Sequence, residues 1–102
     1  MEKTIRLDGI IGDFGNTGEE FNFRLEELDL QPEDTLLVII NSVGGSVIEG
    51  WGIYNMIKTL PQQVTTRAEG LAASIASLIL LAGNKVEMSE VGMLMIHVHL
   101  IL

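Results

Sequence analysis

Residues 70–83 read Gly70-Leu71-Ala72-Ala73-Ser74-Ile75-Ala76-Ser77-Leu78-Ile79-Leu80-Leu81-Ala82-Gly83, and they follow the β-favouring run Val64-Thr65-Thr66-Arg67-Ala68. Together they read as strand, tight turn, helix, with Ser74 at or beside the first helical turn and Gly83 as the helix C-cap. Backbone N–H groups in a first turn have no partner inside the helix and lie at the positive end of its dipole. A hydroxyl there can attack a carbonyl while neighbouring N–H groups hold the oxyanion that forms. The small residues Ala72, Ala73 and Ala76 leave room for a substrate backbone. The plainer reading is a serine N-cap with alanines for close packing, since serine is a common cap. This stretch by itself leaves both readings open.

The same pattern precedes it. Leu36-Leu37-Val38-Ile39-Ile40 is a short continuous apolar run, which fits a strand covered on both faces of a parallel sheet. Asn41 to Gly45 breaks the run. Ser46 then caps a helix whose Val47, Trp51, Tyr54, Ile57 and Leu60 form an apolar stripe, and Pro61 ends it. Further upstream, Thr4 to Leu7 reads as a strand, with Ile10-Ile11 continuing after a turn at Asp8-Gly9. Gly12 to Gly18 is a loop, in which Thr17 caps a helix with Glu19 and Glu20 in its first turn and Phe21, Leu25 and Leu28 on its buried side. Gln31 to Asp34 is a turn. Downstream, Lys85 to Met88 is a short strand, and Met93 to Leu100 is an apolar run that carries both histidines. Strands alternating with helices define an α/β fold, a mainly parallel sheet built from strand–turn–helix layers.

A chain of 102 residues holds one domain with a modest core. The net charge is −8, and no Lys/Arg cluster exists to neutralise phosphates, so no nucleic-acid partner is expected. There is no cysteine, which excludes disulfides and thiolate metal sites. The run Leu78 to Ala82 is too short to cross a bilayer, so no membrane partner is expected. No basic cluster followed by an apolar run marks a secretory signal, and the expected location is cytoplasmic. The hydrophobic fraction of 47% predicts apolar surface that faces another subunit or a further part of the domain. Val98-His99-Leu100-Ile101-Leu102 stays apolar to the last residue, so the single domain over residues 1–102 reads as truncated at its C-terminus.

Two further features can carry chemistry. Asn41-Ser42-Val43-Gly44-Gly45-Ser46 puts two glycines between a buried strand and a helix, where the backbone can expose N–H groups to an anion or simply turn. It lacks the Gly-Lys-Ser/Thr of a phosphate loop and the spacing of a dinucleotide fingerprint. His97 and His99 alternate on a predicted strand and share one face. They fit either part of a zinc site or hydrogen-bonded buried histidines. The acidic residues Glu19, Glu20, Glu26, Glu27, Asp29, Glu33 and Asp34 fall on loops and one outer helix face, which reads as solvated surface.

Taken in order, Asn41-Ser42-Val43-Gly44-Gly45-Ser46-Val47, Gly50, Ile53-Tyr54-Asn55, Gly70 to Ser77, Ala82-Gly83-Asn84 and Met95-Ile96-His97 resemble the Clp protease proteolytic subunit family. The Gly-Leu-Ala-Ala-Ser-Ile-Ala-Ser form is most similar to the phage-associated prohead or head-maturation branch. The resemblance implies the Clp/crotonase-like spiral of strand–turn–helix layers and a serine endopeptidase that needs no cofactor and no metal. It implies Ser74 as nucleophile, His97 as general base, and the N–H groups of Gly45 and Ile75 as oxyanion hole. The triad's third member, an aspartate well downstream of the histidine, is not among these residues. A form without it is expected to have little activity. Val43 and His99 stand where the family usually has proline; the first could loosen the oxyanion turn, and the second could compete for the geometry of His97. The resemblance also implies a peptide or protein substrate, a homo-oligomeric ring, and an ATP-driven unfoldase or phage capsid proteins as partners. Two alternatives stand beside it: a non-catalytic Clp-like scaffold or ring subunit, and a crotonase-like acyl-CoA enzyme. The pairing of Ser74 with His97 argues against the latter.

Overall fold

The computed structural model of the chain describes residues 1–89 and 93–95. The described elements, in order, are β1 (Glu2–Ile11), α1 (Gly18–Leu28), β2 (Thr35–Gly45), α2 (Val47–Thr59), β3 (Gln63–Ala73), α3 (Ile75–Leu80), β4 (Lys85–Met88) and β5 (Met93–Met95). The strands form one parallel sheet in the order β1-β2-β3-β4, and β5 pairs with β3 beyond the end of β4. This is the α/β architecture that the alternation of strands and helices predicts. Leu36 lies opposite Val64 and Ile40 opposite Ala68.

Alternate strand residues Ile5 and Leu7, Leu36, Val38 and Ile40, and Val64 and Ala68 join one cluster with Phe21 and Leu25 of α1, Ile53 and Ile57 of α2, and Ile79 of α3. A strand points every second side chain to one face, so the three helices share one face of the sheet. Fully burying each large side chain of this cluster contributes about 1.5–3 kcal/mol. The two expected caps are in place. Thr17 Oγ1 accepts from the Glu20 N–H at 3.0 Å, and Ser46 Oγ accepts from the Glu49 N–H at 3.2 Å.

Several boundaries differ from the sequence reading. The expected turn at Asp8-Gly9 is a register shift inside β1, with Gly9 at φ 89°. β2 does not break at Asn41, because Ile10 and Ile11 of β1 pair with Gly44 and Gly45. β3 runs on through Gly70 to Ala73, because β5 supplies a partner for Leu71, Ala72 and Ala73. Ala72 and Ala76 are fully buried and pack the core, so they are not open space for a substrate. In α2 the buried residues are Gly50, Ile53 and Ile57, while Val47 and Trp51 are exposed. α3 stops at Leu80, and its C-cap is Leu81 in right-handed geometry. Gly83 serves a close approach instead, since a Cβ there would lie 2.6 Å from Thr66 Oγ1 and 2.8 Å from the Lys85 carbonyl oxygen. His97 and His99 lie outside the described residues.

Candidate active site

β3 ends at Ala73 and α3 begins at Ile75, so Ser74 alone makes the change of direction. Its φ is 55° and its ψ −129°. For a residue with a side chain such geometry costs about 1–3 kcal/mol, and strain of this kind clusters at functional sites. Ser74 stands at the N-cap position, yet its side chain makes no capping hydrogen bond to α3. That removes the reading of Ser74 as an ordinary cap. The Ser74 carbonyl is held twice by Ser77, whose N–H donates to it at 3.0 Å and whose hydroxyl donates at 2.5 Å.

The glycine pair packs directly against this turn. Gly44 has φ 98°, and a Cβ on it would lie 2.8 Å from Ser74 Cβ, 2.8 Å from the Ala73 carbonyl oxygen and 3.4 Å from the Ile75 nitrogen. Only glycine fits there. The Gly44 N–H donates to the buried Ser42 hydroxyl at 3.0 Å, a bond that spans Val43. Gly45, at φ 149°, is pressed on the end of β1, where a Cβ would fall 2.2 Å from the Ile11 carbonyl oxygen. That same oxygen accepts from the Ser46 N–H at 2.9 Å. The turn is therefore anchored at both ends although Val43 lacks the fixed φ of proline.

Ile75 is buried against α2, where Gly50 allows contact so close that a Cβ would sit 2.1 Å from Ile75 Cγ1. Ser74, Ile75 and the Gly44-Gly45 turn thus meet at the carboxyl ends of β2 and β3. Ligands of open parallel sheets bind in this region. A strained serine beside glycine-rich backbone is suited to acyl transfer, in which a hydroxyl attacks and N–H groups stabilise the oxyanion. Met95, the last residue of β5, is paired with Ala73, the neighbour of Ser74.

Sequence reasoning selected Ser74, Ile75 and Gly45, and the structure brings their segments together. That reasoning assigned no separate site role to four residues that lie in the same motifs, Gly44, Gly50, Ser42 and Ser77. Gly44 rather than Gly45 touches Ser74. Gly50 was readable, because a glycine inside a helical pattern signals a close approach. Ser42 and Ser77 gave no signal, since a serine in a turn or a short helix is ordinary.

A family model described as Clp protease matches residues 17–100. The ATP-dependent Clp protease proteolytic subunit of Bacteroides fragilis is 38% identical over 86 residues, covering 83% of this chain and 41% of that protein. That of Porphyromonas gingivalis is 37% identical over 86 residues, covering 83% and 38%. The chain therefore spans about two fifths of the length of these curated relatives. Among solved structures, the ClpP protease catalytic domain from Plasmodium falciparum superposes with a TM-score of 0.79 at 31% identity, covering 92% of this chain and 54% of that one. ClpP1 from Listeria monocytogenes gives 0.69 at 31% identity, covering 78% and 46%.

Proposed function

The chain belongs to the Clp protease family, and from that premise we propose that it is a serine peptidase subunit that cleaves peptide bonds with Ser74 as nucleophile and His97 as general base. The N–H groups of Gly45 and Ile75 form the oxyanion hole. The observation that carries this reading is the strained Ser74, whose side chain does not cap α3 and whose Cβ adjoins Gly44. The pairing of Met95 with Ala73 also supports it, because His97 follows Met95 by two residues in the sequence. Attack by the Ser74 hydroxyl on the scissile carbonyl passes its proton to the imidazole. The imidazolium then protonates the leaving amine, and water hydrolyses the acyl-serine by the same route in reverse.

The finer parts of the proposal have their own supports. The Gly-Leu-Ala-Ala-Ser-Ile-Ala-Ser form of the motif favours the phage-associated branch. Exposed Val43, Val47, Ile48 and Trp51 favour a ring of identical subunits. We read residues 1–102 as one Clp protease-like domain that works in the cytoplasm on unfolded protein. An ATP-driven unfoldase or phage capsid proteins are the partners in that reading.

A fluorophosphonate probe followed by intact-mass and peptide mapping tests the roles. In a form that carries the triad aspartate, one adduct is expected, on Ser74, and none on Ser74→Ala. His97→Ala should slow labelling by at least about a hundredfold, while His99→Ala leaves it near the native rate. An adduct that survives Ser74→Ala, or loss of labelling in His99→Ala alone, would overturn the assignment. Without a triad aspartate, peptide turnover by these 102 residues is expected to be about four orders of magnitude below that of a complete triad.

A further inference from the structure

We infer that Ser77 is a positioning residue for the oxyanion-binding backbone, and that it acts through the peptide unit joining Ser74 to Ile75. The inference rests on the reading of Ser74 as nucleophile and the Ile75 N–H as donor. The Ser74 carbonyl and the Ile75 N–H are opposite ends of one planar group. Whatever fixes the carbonyl fixes the direction of the N–H. Among the described residues the carbonyl receives two hydrogen bonds, and both come from Ser77: the backbone N–H at 3.0 Å and the hydroxyl at 2.5 Å. Any residue at position 77 can supply the first bond. The second needs a hydroxyl.

Ser77 is 1% exposed, so bulk water cannot replace its hydroxyl. The bond also counteracts the tendency of the φ 55° turn at Ser74 to relax. A carbonyl that accepts hydrogen bonds polarises its peptide group, which makes the N–H at the other end a stronger donor. On the far side Gly50 and Ile75 interlock, so the peptide plane is gripped from α2 and from within α3. Ser77 touches neither substrate nor the reacting atoms in this account. It sets the aim and strength of the group that does.

The test uses the 102-residue chain with Ser77→Ala, Ser77→Cys and Ser77→Thr, after circular dichroism has confirmed folding. Alanine removes the donor, cysteine keeps the volume with a weak donor, and threonine keeps the hydroxyl. Fluorophosphonate labelling should slow about tenfold in Ser77→Ala and Ser77→Cys and recover to within about threefold of native in Ser77→Thr. The pH midpoint of labelling should not move, because the base is untouched. The backbone amide resonance of Ile75 should shift in Ser77→Ala and return toward its native position in Ser77→Thr. Native-rate labelling by the alanine or cysteine variant, a moved pH midpoint, or an unshifted Ile75 resonance overturns the inference. If the native chain takes no label, the reading of Ser74 as nucleophile is decided by labelling a form that carries the triad aspartate, where an unlabelled Ser74 overturns it. The Ile75 resonance then still decides whether Ser77 orients the peptide unit.

Discussion

At the scale of single residues, strain and close approach decide what each position tolerates. Ser74 holds a φ of 55°, which glycine adopts without the clash that a Cβ creates. Ser74→Ala keeps the strain, whereas Ser74→Gly releases it at the expense of a more flexible unfolded chain. The glycine variant should therefore be the more stable by about 1 kcal/mol, read as urea midpoints. Equal midpoints would show that the turn is not strained. The two glycines of α2 give a sharper contrast. A Cβ at Gly50 would lie 2.1 Å from Ile75 Cγ1, while one at Gly52 meets nothing within 4 Å. Gly50→Ala should cost about 1–3 kcal/mol through overpacking. Gly52→Ala, on the same helix, should gain about 0.5–1 kcal/mol from helix propensity. Differential scanning calorimetry should show melting temperatures moving in opposite directions.

At the scale of elements, the sequence showed which segments are strands and helices more clearly than where they end. Apolar runs at 36–40 and 64–68 and the caps Thr17 and Ser46 are local signals, and each holds. The tails Asn41–Gly45 and Gly70–Ala73 look like loops because glycine and asparagine weaken strands. They are strands because distant partners pair with them, and no local pattern encodes that. The buried side of α2 was misjudged for a related reason. Gly50 carries no hydrophobic signal, yet its contact with Ile75 sets the rotation of the helix. The link from α1 to β2 depends on a charge cluster. Lys3 Nζ donates to the carbonyl oxygens of Leu28 and Asp29, at 2.7 and 2.9 Å, and lies 3.1 Å from Asp34 Oδ2. The Gln31 N–H first, and Lys3 second, hold the Asp34 carboxyl below its usual range. A depressed carboxyl stabilises the fold fully above about pH 4 and loses that contribution as acid protonates it. Asp34→Asn should be less stable than the native chain at pH 6, and the gap should narrow progressively as the pH falls below about 4. A gap that stays constant across urea titrations above and below about pH 4 would rule the cluster out.

At the scale of the molecule, the question is what the apolar surface faces. Ile48 is 85% exposed, and Val43, Val47 and Trp51, in or just before the start of α2, are exposed too, as is Phe14 in the loop after β1. Helices cover one face of the parallel sheet, and among the described residues no helix packs on the other, although parallel sheets are normally covered on both. That second face carries the buried Leu37 and Ile39 of β2, flanked by ion pairs between Arg67 and Glu87 and between Arg6 and Asp8. The apolar start of α2 is the surface that gains most from being buried. The chain should therefore self-associate at micromolar concentration. Its net charge of −8 opposes that association, because like subunits repel. Salt screens the repulsion and leaves apolar contacts in place, so association should strengthen between 0.05 and 0.5 M salt, given a Debye length that falls to about 10 Å at 0.1 M. Ile48→Asp adds charge at an exposed apolar position of α2 and should weaken association at least about tenfold. Sedimentation velocity across salt and concentration reads both effects. A native chain that sediments as a monomer at 50 µM in 0.5 M salt, or an Ile48→Asp chain that associates as before, would show that this patch is not the contact.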